Sequence, residues 1–224
     1  MKSRYKILLF DLDDTLLDFT GDEKKALTKV LGDHGLPNGR DVIETYYTIE
    51  NWQTFEMGNI SSQSVVTTRF RSLLKLLSAE NADQIAKEYY DLMLKSHKLL
   101  SGALAMLRRL KADGYKLYIT TNGYPEFQRK RIKDARIEKY FDGIFISEEI
   151  DLRKPTPGFY KYVLNRVPTS KRSDILIIGD AQTSDVLGGI NAGIDTCWYN
   201  PSGKAGRHKP VYEIKYFEEL EKIL

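Results

Sequence analysis

Five short apolar runs punctuate the chain, and each ends in small or polar residues. They are Ile7-Leu8-Leu9-Phe10 before Asp11, Lys116-Leu117-Tyr118-Ile119 before Thr120-Thr121-Asn122-Gly123, and Ile144-Phe145-Ile146 before Ser147. Further on come Ile175-Leu176-Ile177-Ile178 before Gly179-Asp180, and Thr196-Cys197-Trp198-Tyr199 before Asn200-Pro201. Continuous rather than alternating hydrophobicity predicts strands covered on both faces, as in a parallel sheet. Helical spacings separate the later runs: Leu104, Leu107 and Leu110 before Gly114, and Phe159, Tyr162, Val163 and Val167 after Pro157. This alternation predicts an α/β doubly wound fold.

The stretch from Asp18 to Leu100 has a different pattern. It lacks a comparable strand run and carries helical periodicities, such as Phe70, Leu73, Leu74 and Leu77, then Ile85, Tyr89, Leu92 and Met93. Leu36-Pro37-Asn38-Gly39 breaks its first helical segment and Met57-Gly58-Asn59 breaks another. Residues 18–100 are therefore expected to form an all-helical insertion, with residues 1–17 and 101–224 making one core domain.

Bulk properties change this picture little. The chain has 224 residues, 42% hydrophobic and 29% charged, enough apolar surface for a real core and too much for disorder. A formal charge of +3 without a basic stripe argues against a nucleic-acid polymer as partner. One cysteine, Cys197, rules out an intramolecular disulfide. The apolar run ahead of Asp11 is too short for a secretory signal or a membrane span, so a soluble cytoplasmic protein is expected.

Candidate chemistry lies at the strand ends, where parallel α/β sheets bind ligands. In Asp11-Leu12-Asp13-Asp14-Thr15, Asp11 ends a buried strand and can attack phosphorus to form an aspartyl-phosphate. Asp13 can protonate the leaving oxygen and then deprotonate water. Read alone, the string is also compatible with a solvated acidic turn. Thr120-Thr121-Asn122-Gly123 offers a hydroxyl and an amide to phosphate oxygens, or forms a simple Asn-Gly turn. Lys154, in Arg153-Lys154-Pro155, is a point charge for phosphate or a surface lysine before a helix. Asp180 can ligate a hard cation such as Mg²⁺, and Asp185 either supports that site, by orienting Lys154 or through water, or caps the following helix. All four pieces, each at a strand end, argue for one site in which a cation and Lys154 offset the charge of Asp11 and Asp180.

With these residues in order, the chain resembles the haloacid dehalogenase superfamily of phosphatases. The resemblance implies a Rossmann-like core with a helical cap, Asp11 as nucleophile and Asp13 as general acid/base. It also implies phosphate held by Thr121 and Lys154, and Mg²⁺ held by Asp11, the backbone carbonyl of Asp13, and Asp180. A finer resemblance, to the house-cleaning pyrimidine 5′-nucleotidases, rests on Ile119-Thr120-Thr121-Asn122-Gly123, Ile146-Ser147-Glu148-Glu149, Ser184-Asp185-Val186-Leu187-Gly188-Gly189-Ile190-Asn191-Ala192-Gly193 and Thr196-Cys197-Trp198-Tyr199-Asn200. It implies a small phosphorylated substrate, a nucleoside monophosphate. Arg153 departs from the small residue often found before that lysine. Sugar phosphates and phosphoglycolate remain alternative substrates. Asp13 argues against a carbon–halogen hydrolase, and the presence of all four motifs argues against a non-enzymatic binding protein.

Other residues are set aside. His34, His97 and His208 lack metal-ligand spacing, and Cys197 reads as core. Tyr46, Tyr47, Trp52 and Phe55 stack on a base or pack between helices. The segment from Pro201 to Pro210 reads as a solvated loop.

Overall fold

The computed structural model describes residues 4–49, 62–168 and 171–224. Trp52, Phe55 and the Met57-Gly58-Asn59 break lie outside the described residues. Six parallel strands form one sheet in the order β3-β2-β1-β4-β5-β6. They are β1 (Ile7–Phe10), β2 (Lys116–Thr121), β3 (Gly143–Ile146), β4 (Ile175–Gly179), β5 (Asp195–Tyr199) and β6 (Tyr212–Ile214). The five expected strands are present. The short edge strand β6 was not expected, because Tyr212-Glu213-Ile214 is too brief and too polar to stand out as a run.

The physical basis of the continuous apolar runs is plain in the packing. Leu8, Phe10, Leu117, Ile119, Leu176 and Ile178 face one layer, which includes Met106, Leu107 and Leu110 of helix α5 (Ala103–Ala112). Ile7, Leu9, Tyr118, Ile175 and Ile177 face the other, which includes Phe159, Tyr160 and Val163 of α7 (Pro157–Leu164). Successive strand residues point to opposite faces, so a sheet covered on both sides needs every position apolar.

Between β1 and α5 the described residues fold into helices α1 (Phe19–Asp33), α2 (Arg40–Thr48), α3 (Ser62–Leu76) and α4 (Ala82–Met93). They share a core of their own. Leu27, Val30, Leu31, Tyr46, Phe70, Leu73, Leu74, Ile85, Tyr89 and Met93 pack together, joined by Phe127 of α6 (Pro125–Asp134). Phe70 stacks on Tyr89 with ring centroids 4.3 Å apart. At the root of this layer the chain leaves and returns side by side, with the Asp18 N–H donating to the Lys98 carbonyl and the Leu100 N–H to that of Leu16. Among the described residues, no helix is long and apolar enough to cross a membrane.

Helix α8 (Leu187–Ala192) packs closely through two glycines, Gly188 against Tyr160 of α7 and Gly189 against the sheet. A Cβ on Gly189 would lie 2.1 Å from Thr196 Cγ2 and 3.0 Å from the Ile194 carbonyl oxygen, and the latter is backbone that cannot step aside. The Gly189→Ala variant is therefore expected to lose about 1–3 kcal/mol of stability through overpacking. Chemical denaturation, read as a lower midpoint with an unchanged slope, checks this.

Candidate active site

The sheet order places β1 between β2 and β4, so the chain reverses direction of travel across the sheet at β1. Phe10 is in register with Ile119 and with Ile178. The residue after it, Asp11, therefore emerges between the ends of both neighbours, its N–H held by the Ile178 carbonyl at 2.9 Å. Thr121 ends β2 and Asp180 follows β4. Lys154 comes from the loop after β3.

Lys154 is fully buried, and its Nζ donates to Asp11 Oδ1 at 2.6 Å and to Asp185 Oδ1 at 2.7 Å. The surface-lysine alternative for this residue is thereby excluded. Its backbone is clamped from β2: the Asn122 side chain donates to the Lys154 carbonyl and accepts from the Lys154 N–H, both at 2.9 Å. Asp185 lies inside the single π-helical turn Gln182–Val186 that leads into α8, and its Oδ2 accepts the Ala181 N–H. Asp180 is tied to the first strand loop. Its N–H donates to Thr15 Oγ1 at 3.0 Å and its Oδ1 accepts from the same hydroxyl at 3.1 Å. The Trp198 indole N–H holds the Asp180 carbonyl oxygen at 2.7 Å.

Asp13 is gripped by side chains with no role in the strand-end pattern. Gln128 Nε2 donates to Asp13 Oδ2 at 2.8 Å and to Thr121 Oγ1 at 2.9 Å. Arg131 Nη1 donates to Asp13 Oδ1 at 2.6 Å and to Gln128 Oε1 at 3.0 Å, and Arg131 Nε donates to the Ser96 carbonyl at 2.9 Å. The Arg131 guanidinium, wholly buried, lies over Phe127 and Phe19 with centroid distances of 4.8 and 5.2 Å. One signal was available in the sequence: Gln128 and Arg131 are three apart on a helix that starts at Pro125, just after Asn122, so both project from one face.

The charges do not balance. Asp11, Asp180 and Asp185 each offer a carboxylate oxygen within 4.8 Å of the others, against the one ammonium of Lys154. Burial pushes the Asp11 carboxyl up to about 8, with Lys154 opposing the rise and Asp185 adding to it. Burial, then repulsion from Asp11 and Asp185, holds Asp180 well above the carboxylate range. Burial works against the charge of Lys154, but Asp11 and Asp185 outweigh it and keep the ammonium protonated. An excess of buried, hard oxygen donors fits a hard divalent cation.

A cavity of about 240 Å³ opens over this cluster. Asp11, Asp13, Thr121, Asn122, Lys154 and Asp180 line it from the strand ends and the loops that follow them, and Phe19, Glu23, Tyr47, Arg69 and Tyr90 line it from the helical layer. Of the aromatic residues singled out in the sequence, Tyr47 faces the cavity and Tyr46 is buried beside it, their rings meeting edge to face at 5.3 Å. Cys197 is buried in β5, and burial pushes its thiol up to about 12, which makes it inert core.

Comparison with known proteins places this arrangement in a family. The haloacid dehalogenase-like hydrolase pattern matches residues 8–199. The pyrimidine 5′-nucleotidase PynA of Streptococcus pneumoniae is 36% identical over 96% of this chain and 93% of its own length. The pyrimidine 5′-nucleotidase YjjG of Escherichia coli is 31% identical over 97% and 96%. A crystal structure of the HAD-hydrolase YfnB from Bacillus subtilis, bound to magnesium, superposes with a TM-score of 0.89 at 38% identity, covering 98% of both chains. An acidic strand-end cluster on a parallel sheet, a helical layer above it and matches over nearly the full length lead to one assignment: the chain is an enzyme of the haloacid dehalogenase-like hydrolase family.

Proposed function

We propose that the enzyme hydrolyses nucleoside 5′-monophosphates, with a preference for pyrimidines, through an aspartyl-phosphate on Asp11 and with Mg²⁺ as cofactor. The observation that carries this reading is the environment of Asp11. One of its oxygens is held by a buried ammonium at 2.6 Å, Asp180 stands beside it, and it opens on the same cavity as Asp13.

Asp11 Oδ2 attacks phosphorus, the ester P–O bond breaks, and Asp13 delivers a proton to the departing ribose oxygen. A water then attacks the aspartyl-phosphate, Asp13 takes its proton, and Asp11 and inorganic phosphate are released. Gln128 and Arg131 fix the Asp13 carboxylate by one hydrogen bond to each oxygen, and each oxygen keeps a second lone pair for the proton. Thr121 and Lys154 present a hydroxyl and a cation to the transferring phosphoryl group, and Asn122 and Asp185 hold Lys154 in place. Asp11, Asp180 and the Asp13 backbone carbonyl are the groups that would hold Mg²⁺, which when bound supplies the positive charge that lets a phosphate dianion approach these carboxylates. The preference for pyrimidines is supported by PynA and YjjG, whose names specify that activity.

Asp11→Asn is expected to remove turnover of UMP and CMP while leaving the circular dichroism spectrum unchanged. Full activity in that variant would rule out the covalent route. Arg131→Met should lower kcat about ten- to a hundredfold with KM little changed, because Asp13 loses its fixed orientation rather than the substrate its contacts. Steady-state kinetics on UMP separate the two parameters.

Mg²⁺ is expected to raise the melting temperature, by about 2.7 kcal/mol of stabilisation at a hundredfold excess over its dissociation constant. Asp180→Asn removes one of the repelling carboxylates. It should melt higher than the wild type in EDTA and gain nothing from added Mg²⁺. Thermal scans with and without the metal check both halves of this expectation.

A further inference from the structure

The side of the cavity formed by the helical layer carries polar groups that helix packing does not require. Glu23 of α1 is buried at 2% exposure. Its Oε1 accepts the Tyr46 hydroxyl at 2.7 Å and the Tyr89 hydroxyl at 3.1 Å, and those two oxygens lie 3.0 Å apart. Burial raises this carboxyl above its ordinary value, while Tyr46 and the nearby Arg69 oppose the rise. The neighbouring Tyr47 hydroxyl is also buried; it lies close enough to Glu23 to interact with it but makes no well-formed hydrogen bond among the described residues. Glu23 and Tyr47 both line the cavity. Buried polar atoms are normally satisfied, and one left open in a cavity wall is a place for a ligand atom.

The surroundings narrow the ligand. Phe19, Tyr90, Tyr124 and Phe127 line the same cavity and present aromatic surface, which suits a planar ring. Glu23 here offsets the charge of the neighbouring Arg69, so among the described residues this wall has no surplus cation to hold a second phosphate. A carboxylate oxygen accepts from an N–H, and a phenol can donate to a carbonyl. A planar edge with an adjacent N–H and C=O is the edge of a nucleobase. The cavity, about 240 Å³, lies below the roughly 300–1,000 Å³ of typical small-molecule pockets, which favours one ring over two.

Resting on the nucleotide reading above, we propose that Glu23 and Tyr47 form the site that recognises the base, taking the N–H and carbonyl edge of a single-ring nucleobase while Asp11 faces its 5′-phosphate. Tyr46 and Tyr89 are positioning residues that aim the Glu23 carboxyl through Oε1.

The test compares kcat/KM for UMP with kcat/KM for ribose 5-phosphate, which shares the reacting group and the sugar but has no base. Glu23→Gln and Tyr47→Phe should each lower the UMP to ribose 5-phosphate ratio about tenfold, chiefly through the KM for UMP. Tyr47→Phe removes a hydroxyl that makes no well-formed hydrogen bond, so it should melt close to the wild-type temperature. It decides the matter by itself should Glu23→Gln not fold. An unchanged ratio in Tyr47→Phe and in folded Glu23→Gln would overturn the base-recognition site and leave the nucleotide reading standing. A wild-type enzyme that handles ribose 5-phosphate as well as UMP would overturn both.

Discussion

The buried ammonium of Lys154 is the interaction on which the rest of the site depends. A lone charge cannot be kept out of water, so Lys154 must have anions around it. Asp11 and Asp185 supply them, at 2.6 and 2.7 Å. The same contacts hold the two acids in fixed rotamers and join the end of β1 to the turn after β4. The side chain of Asn122 bonds both backbone groups of Lys154 and brings in the end of β2. Three strand ends and a loop are thus tied to one residue. The sheet supplies the rigidity beneath, because its strands are apolar on both faces and register pairs Phe10 with Ile119 and Ile178.

That network leaves more negative charge than it neutralises. Asp180 has a hydroxyl and a backbone anchor but no cation, and it sits beside Asp11. A structure does not hold such a group for stability, since burial raises Asp11 and Asp180 together and the repulsion between them adds to the rise. The imbalance is instead a standing attraction for a divalent cation. A cation at this position would favour the ionised form of Asp11.

Arg131 connects the helical layer to this chemistry. Arg131 reaches from α6 to the Asp13 carboxylate with one nitrogen and to the Ser96 carbonyl, near the return of the helical layer, with another. Its guanidinium also covers Phe19 at the start of α1. Asp13 and the root of the helical layer are therefore held by the same side chain. Cavity-lining groups in that layer come from separate helices: Glu23 from α1, Tyr47 from α2 and Arg69 from α3.

Much of this was legible before any coordinate. Strands buried on both faces announce themselves as continuous apolar runs, so the sheet and the acidic and basic groups at its ends could be read directly, and Asp11, Thr121, Lys154 and Asp180 do converge. Strand β6 was too short and polar to be seen. Gln128, Arg131 and the reciprocal bonding of Thr15 with Asp180 were not assigned, because a polar residue on a helix or loop looks the same whether it faces solvent or a carboxylate a hundred residues away. Glu23 is the sharpest case, an ordinary acidic residue in the first turns of an amphipathic helix. Only packing buries it between two tyrosines and turns it toward the cavity. Local pattern determines which elements form and which faces are apolar, since that depends on neighbours in the chain. Which polar groups meet depends on residues distant in sequence, and that was settled only when the sheet order and the helical layer brought them within hydrogen-bonding reach.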